Sequence, residues 1–392
     1  MHASYYPPNP NRSQGAKQPC ERTVSTPFSV DPSSESSSDS QRPALSDREK
    51  DILRLVVNHF IDSAGPVGSR SIAKEYSAGL SPASIRNTMA DLEEMGYLDH
   101  PYTSAGRVPT RLGYRTFVDH LMNTPSLAAA DRKALKQHLA QLVRNTDQML
   151  KESTQLLSKL TSLLGLALSP RLSTGVLERL DVVRLSGQRL MFVLSIRSGL
   201  VKTLVLEFEA DLDRRDIDGV VSILNERLAG LTLQEIRDTH RERVQDVRDQ
   251  TGLIDRVVEE ASLIFSEPKE GRLQLGGTRN LLTQPEFQEP DDVRRLIEVI
   301  EDTDRVVAVL EDLHQANPDA SAGTVTIRIG SENEGEQMEA YSIVTTPYRM
   351  GDTVGTLGVI GPTRMNYPRV VAVMENMAAL INRPSGDTES DA

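Results

Sequence analysis

The sequence predicts an α+β fold in two parts. A compact N-terminal unit of three helices and a two-stranded flap comes first, and a larger unit follows in which strands and helices occur in separate runs. Three observations predict it. Residues 81–119 read SPASIRNTMADLEEMGYLDHPYTSAGRVPTRLGYRTFVD, a capped helix with one apolar face followed by two short extended pieces. Residues 176–208 hold three strand-like runs separated by Ser186-Gly187 and Ser198-Gly199, the pattern of an antiparallel meander. A mainly helical block comes next, then strands resume at 324–360 and a helix closes the chain. That order belongs to an α+β domain carrying an insertion, not to alternating βα units.

Residues 1–44 contain YYPPNPN and DPSSESSSDS and lack the apolar content for a core, so a disordered tail is expected there. The alternative is an arm that reaches DNA or a partner through Arg12, Lys17 and Arg22. The unit at 45–120 opens with Ser46-Asp47-Arg48-Glu49, a capping box before a helix with Ile52, Leu55, Val56 and Phe60 on one side. Gly65-Pro66-Val67-Gly68 breaks that helix. Ser69 is placed to cap a short second helix through Ile72 and Ala73, and Gly79 turns the chain into a third.

In the third helix Ser81-Pro82 supplies an N-cap and a first-turn proline. Ile85, Met89 and Leu92 form the inward face, and Gly96 is the expected left-handed end. The opposite face, Ala83, Ser84, Arg86 and Asn87, is small and hydrogen-bonding. The flap beyond it turns at Thr103-Ser104-Ala105-Gly106, and from His100 to Val118 it carries Arg107, Arg111 and Arg115 with no acid. A helix with a small polar face followed by a basic two-stranded flap is the plan of a winged helix-turn-helix. Candidate DNA contacts follow from the chemistry. Arg86 can pair bidentately with guanine and Asn87 with adenine in the major groove. Ser81 and Ser84, near the helix N-terminus, suit phosphates or base edges. Arg107 and Arg111 offer cations to the backbone or the minor groove, and Tyr102, Thr103 and Ser104 offer hydroxyls to phosphate. The alternative for the helix face is an exposed polar surface with no partner.

From Thr124-Pro125 one long helix is expected to about Leu168, stopped by Ser169-Pro170. Leu135, Leu139, Leu142, Thr146, Met149, Ser153, Leu156, Leu160 and Leu163 keep a 4-3 spacing. That fits a coiled coil between two subunits, or a helix lying on its own sheet; the second stripe at Leu150, Leu157 and Leu164 widens the face beyond a coiled-coil seam. Strands are expected at 176–185, 189–196 and 200–208, and helices from 213 to 267. Those helices include a capping box at Thr232-Leu233-Gln234-Glu235 and a stripe at Leu253, Val257, Ala261 and Ile264. A β excursion at 271–280 precedes helices at 291–300 and 303–315, strands at 324–329, 339–345 and 354–360, and a last helix at 367–381.

Several of these stretches, in order, resemble one family. LSDREKDILRLVVNHF at 45–60, GPVGSRSIA at 65–73, SIRNTMADLEEMGYLDHPYTSAGRVPT at 84–110 and GYRTFVD at 113–119 are similar to the heat-inducible transcription repressor HrcA family. So are IGSEN at 329–333 and GTLGVIGPTRMNYPRV at 355–370. The resemblance runs over nearly all of 45–382, and residues 1–44 lie outside it. It implies a DNA-binding domain at 45–120, a GAF-like domain at about 121–210 plus 285–385, and an inserted dimerisation domain at about 211–284. It implies a homodimeric repressor on an inverted-repeat operator in double-stranded DNA, before chaperone operons of the groE and dnaK kind, released on heat stress. It also implies the GroEL chaperonin as a partner in reaching the active state. Arg364-Met365-Asn366-Tyr367 falls in the resembling C-terminal segment and is expected to tie the last strand to the last helix, the alternative being a ligand contact. A reading from another class is a GAF-type small-molecule sensor whose ligand controls DNA binding.

Composition sets limits. The single cysteine, Cys20, excludes an internal disulfide and a multi-cysteine metal site and suits a reducing cytoplasm. There is no run of 18 apolar residues, and the N-terminus has no apolar segment, so neither a membrane span nor a signal peptide is expected. The net charge is −12, of which residues 1–44 carry 0 and residues 45–120 carry −1. A near-neutral DNA-binding unit relies on specific contacts and dimerisation rather than on bulk charge. Ser71-Ile72-Ala73-Lys74 matches S-x-x-K but has none of its companion motifs. Gly351, Gly355, Gly358 and Gly361 lack phosphate-loop spacing and read as turns and close packing. The histidines are scattered, with no pair at helical spacing. No catalytic residue, cofactor or metal is expected.

Overall fold

The computed structural model describes residues 44–76, 79–101, 106–140, 146–186, 188–208, 213–247, 251–267, 272–315, 323–333 and 335–382, so the expectations for residues 1–43 lie outside it. The first elements are α1 (Asp47–Ser63), α2 (Ser69–Glu75), α3 (Pro82–Glu94), β1 (Leu98–Asp99), β2 (Val108–Pro109) and α4 (Arg111–Thr116), which widens into a π turn at Phe117–Leu121. Antiparallel pairing of Leu98 with Pro109 and Asp99 with Val108 makes β1 and β2 a hairpin. Ile52, Leu53, Val56, Val57 and Ile61 of α1 are buried, with Leu55 and Phe60 half-buried at the edge. The buried stripe is wider than expected and rotated toward Leu53 and Val57, because α1 packs against α2, α3, α4 and β2 at once. Ser69 is not a cap: Gly68 holds that place and makes no side-chain bond, and Ser69 is the first helical residue.

The chain continues as α5 (Ala129–Ala140), α6 (Thr146–Thr161) and β3 (Leu164–Leu168). The single long helix expected to Leu168 is therefore not what forms. Helix α6 ends at Thr161, Ser162 takes φ 60°, and the next residues are a strand buried at all five positions. Leu164-Gly165-Leu166-Ala167-Leu168 has no strand-like alternation, and its partners lie a hundred residues or more away, so pairing overrides local preference. Gly165 is required there, because the backbone of Thr154 in α6 occupies the place of a Cβ.

Then come β4 (Leu177–Ser186), β5 (Arg189–Ile196), β6 (Val201–Glu207), α7 (Arg214–Leu228), α8 (Leu233–Val244), α9 (Leu253–Glu259) and α10 (Ala261–Ile264). The remaining elements are β7 (Leu273–Gly276), α11 (Thr278–Leu282), α12 (Pro290–Glu301), α13 (Thr303–Gln315), β8 (Thr326–Ile329), β9 (Tyr341–Met350), β10 (Thr353–Pro362) and α14 (Tyr367–Ile381). One antiparallel sheet has the order β7-β3-β10-β9-β8. Helices α6 and α14 pack on one of its faces. Leu164, Leu166, Leu168, Ile343 and Ile360 point to the other, where they share a core with residues of α11, α12 and α13. The leucines of α6, including Leu150, Leu156, Leu157 and Leu160, are buried, and the helix lies against β3, β7 and α14 of its own chain.

A second body is inserted into this one. The sheet β4-β5-β6 shares its core with α7 to α10, a cluster running from Leu172 to Phe265. The bounds implied by the family resemblance place residues 176–208 with the later strands and begin the insert near 211; the meander instead packs on the helices that follow it. The insertion has a narrow neck. Neighbouring strands β3 and β7 pair Leu168 with Leu273, and the Ser169 N–H donates to the Arg272 carbonyl at 2.8 Å. Entry and exit thus lie side by side. Lys202 closes the body by donating to the carbonyls of Leu263, Ile264 and Ser266 at 2.8, 2.8 and 2.7 Å, at the end of α10, where carbonyls lack helical partners.

Candidate nucleic-acid interface

Helix α3 is built as its residues require. Ser81 caps it, its side chain accepting from the Ser84 N–H at 3.2 Å, and Pro82 takes the first position. Ile85, Thr88, Met89 and Leu92 are buried, and Gly96 takes φ 81° after the last turn. This leaves Ser81, Arg86 and Asn87 exposed on one face. Among the described residues Arg86 and Asn87 have no bond that would keep them from a ligand. Ser84 is different: it is half-buried, and Arg48 of α1 donates to its carbonyl at 2.8 Å and its Oγ at 3.0 Å. Arg48, fixed beside the N-terminal turn of α3, is not legible in the sequence, where no spacing links it to residue 84. Arg70 and Lys74 on α2 are exposed cations of the same unit.

The flap is anchored more firmly than its basic composition implied. Thr103 and Ser104, with Tyr102, lie outside the described residues. Arg107 pairs its backbone with Val67 in both directions, at 2.8 and 2.9 Å. That close approach needs Gly106, whose Cβ position is filled by the Val67 backbone. The Arg107 guanidinium reaches Glu93 of α3 at 2.5 Å, and His100 pairs with the same carboxylate. The Arg107 charge is thus already met inside the unit. Arg111 has a side chain 55% exposed and lies 3.8 Å from Glu332.

The rest of α4 faces the C-terminal body. Arg115 donates to the Ile327 carbonyl and to Glu332, each at 3.0 Å. Tyr114, 3% exposed, meets Tyr367 with ring centroids 6.0 Å apart and planes tilted by 56°. Burial raises the Tyr114 phenol well above its usual range, Tyr367 adds to the rise and Arg364 opposes it. Arg364 does not do what the sequence suggested. It donates to the carbonyl of Ile61 in α1 at 2.5 Å and forks onto Glu286 at 2.6 and 3.2 Å. The tie between the last strand and the last helix is made by neighbours: the Tyr367 hydroxyl donates to the Thr363 carbonyl at 2.7 Å, and Asn366 caps α14. The two similar segments far apart in sequence, 329–333 and 355–370, therefore meet the DNA-reading candidate in space.

Among the described residues no group of His, Cys, Asp or Glu could hold a metal ion, and no helix is long and apolar enough to cross a membrane. Gly355 and Gly361 sit where Tyr348 and Leu163 fill the space beside the strand, which is the close packing expected of them.

Comparison with known proteins adds identity to geometry. The family model described as HrcA protein C terminal domain matches residues 147–371. The heat-inducible transcription repressor HrcA of Chlorobium phaeobacteroides (strain BS1) is 42% identical over 339 residues, 85% of this chain and 96% of that protein. Its counterpart in Chlorobium chlorochromatii (strain CaD3) is 42% identical over 341 residues, 86% of this chain and 97% of that protein. A crystal structure of a hypothetical protein at 2.2 Å resolution shares the fold, with a TM-score of 0.57 and 22% identity over 86% of this chain and 99% of that one. The matched domain fills more than half of the sequence and the relatives align over nearly their whole lengths, so the chain belongs to the heat-inducible transcription repressor HrcA family.

Proposed function

We propose that this heat-shock repressor reads its operator with residues 47–121 acting as a winged helix-turn-helix, α3 lying in the major groove. The observation that carries this reading is the exposed pair Arg86 and Asn87 on a capped helix whose opposite face, Ile85, Met89 and Leu92, is locked in the core. Ser81 and Arg48 stand at the helix N-terminus, where backbone N–H groups favour a phosphate. Arg111, the first residue of α4 just past the flap, is the cation there most available to DNA; Arg107 serves chiefly to hold the flap onto α3 through Glu93.

The five-stranded sheet with its flanking helices is the GAF-like body of this reading, and the inserted body, about 169–272, is the dimerisation body. The open face of β4-β5-β6 supports a second copy as its partner. Val183, Leu185, Val201 and Val205 are 44%, 48%, 60% and 45% exposed there, and Val183 and Val205 both pair with Met191 of β5. Two linked reading units on an inverted repeat turn the second contact into an intramolecular one. The GroEL chaperonin is the partner implied by the family resemblance, acting on this same C-terminal region. The test is a gel shift with DNA from upstream of this organism's own chaperone operons, against the same DNA with one arm of the inverted repeat scrambled. The reading expects a strong preference for the intact repeat; equal binding to both would overturn it.

A further inference from the structure

The DNA-reading unit is fastened to the GAF-like body at α1 and at α4. At α1, Arg364 has a side chain only 10% exposed, and its guanidinium is shared between Glu286, Gln284 and the Ile61 carbonyl. Ile61 lies in the last turn of α1, where carbonyls have no helical partner and the helix end is partially negative, so a cation fits there. At α4, Glu332 accepts from Arg115 at 3.0 Å and from the Ile329 N–H at 2.9 Å, which holds its carboxylate in place. The Tyr114–Tyr367 ring pair adds an apolar contact to the α4 side. Since α1 and α4 are separate elements, neither can swing away without breaking its own fastening.

These contacts are not ordinary surface ion pairs, which contribute little. Arg364 is nearly enclosed, its bonds are charge-assisted and forked, and removing it would strand both Glu286 and a helix-end carbonyl. Yet none of the residues lies on the exposed face of α3. Their placement can alter where α3 points without altering what α3 reads.

We propose that Arg364 and the Arg115–Glu332 pair are positioning residues for operator recognition. They fix the direction in which α3 leaves each protomer, and so the separation of the two half-sites that a dimer engages at once. The proposal rests on the repressor reading above. It separates two quantities: affinity for one half-site belongs to α3 and the flap, and preference for one half-site spacing belongs to the clamp.

The experiment uses the full chain with Arg364→Gln, Arg364→Lys and Arg115→Lys. Arg364→Lys and Arg115→Lys keep the charge and lose the planar fork. Each protein, its folding checked by thermal melting, is titrated with a single half-site and with the inverted repeat found upstream of its own chaperone operon. A series of repeats with the spacer shortened or lengthened by one base pair at a time completes the set. The expected result is half-site affinity within about twofold of wild type, and affinity for the native repeat lowered about tenfold, out of the roughly 10²–10⁴ that linkage provides. The spacing preference should flatten. If Arg364→Gln does not fold, the two lysine variants decide. An unchanged spacing profile, an equal loss on half-site and repeat, or tighter binding once the clamp is broken each overturns the proposal. If the wild-type chain shows no preference for the repeat over scrambled DNA, the repressor reading itself has failed and the proposal falls with it.

Discussion

Asn225 of α7 meets the backbone of Leu180 in β4 twice: its Oδ1 accepts from the Leu180 N–H at 2.8 Å, and its Nδ2 donates to the Leu180 carbonyl at 2.7 Å. β4 is an edge of its sheet, and the side-chain amide pairs with that edge as a neighbouring strand would. A third bond, from Nδ2 to the Val221 carbonyl at 2.9 Å, keeps the amide oriented. Asn225→Ala leaves the Leu180 groups without their partner and should lower the stability of the inserted body by about 1–3 kcal/mol. Chemical denaturation of the full chain measures this, and an unchanged transition would show that the α7–β4 joint contributes nothing.

The proposed groove contact places Arg86 and Asn87 against base edges. Each changed to alanine should weaken operator binding by roughly 1–3 kcal/mol per half-site and relax preference at one base position. Both side chains are exposed, so stability should hardly move. Titration against operators with single base changes is the check. A variant that keeps wild-type affinity and preference removes that residue from the groove.

The sequence disclosed some of this better than the rest, for physical reasons. The Ser81 cap, the buried Ile85–Met89–Leu92 face, the Gly96 end and the Thr232–Glu235 capping box are local devices and could be read directly. The strand Leu164–Leu168 could not, because its residues suit a helix and its partners β10 and β7 are remote. The meander's partners were equally hidden: β4 to β6 alternate as any half-buried sheet does, and nothing in that alternation says which helices cover it. For the candidate site, the exposed face of α3 was legible, but charge pairing was not. The acid-free flap is met by Glu93 from α3 and Glu332 from the far C-terminal body, so its cations are less free than their run suggested.

With Arg107 held by Glu93 and Arg111 more exposed, the two are expected to respond differently to substitution. Arg111→Gln should flatten the salt dependence of operator binding by about one unit of logarithmic slope if it meets one phosphate. Arg107→Gln should flatten it less and cost stability, because it breaks the contact to Glu93. Glu93→Gln should free Arg107 and steepen the slope. Equal slopes for all three proteins would remove the flap from the interface.

The neck of the insertion has its own charge logic. Glu311 accepts from Arg171 at 3.0 and 2.5 Å and from Arg272 at 2.8 Å. Burial alone would raise its pKa, but the bonds from Arg171 and Arg272 outweigh burial and hold it below the ordinary 4.5. A depressed carboxylate contributes stability that is present above its ordinary value and lost as pH falls through the lower folded value. Glu311→Gln should therefore be less stable than wild type at pH 7, and the difference should close under acid conditions. Parallel urea titrations at both pH values test it, and a gap that persists unchanged in acid would contradict the ion-pair account.

If Arg364 and the Arg115–Glu332 pair set where α3 points, heat should release the operator by loosening those contacts before the reading units themselves melt. Fluorescence anisotropy of the full chain on its own operator, followed through rising temperature, tests it when hydrogen exchange of the α1–α3 amides is measured over the same range. The account predicts that binding is lost while the buried amides around Ile52, Ile85 and Leu92 remain protected. Binding that persists until those amides lose protection would contradict it.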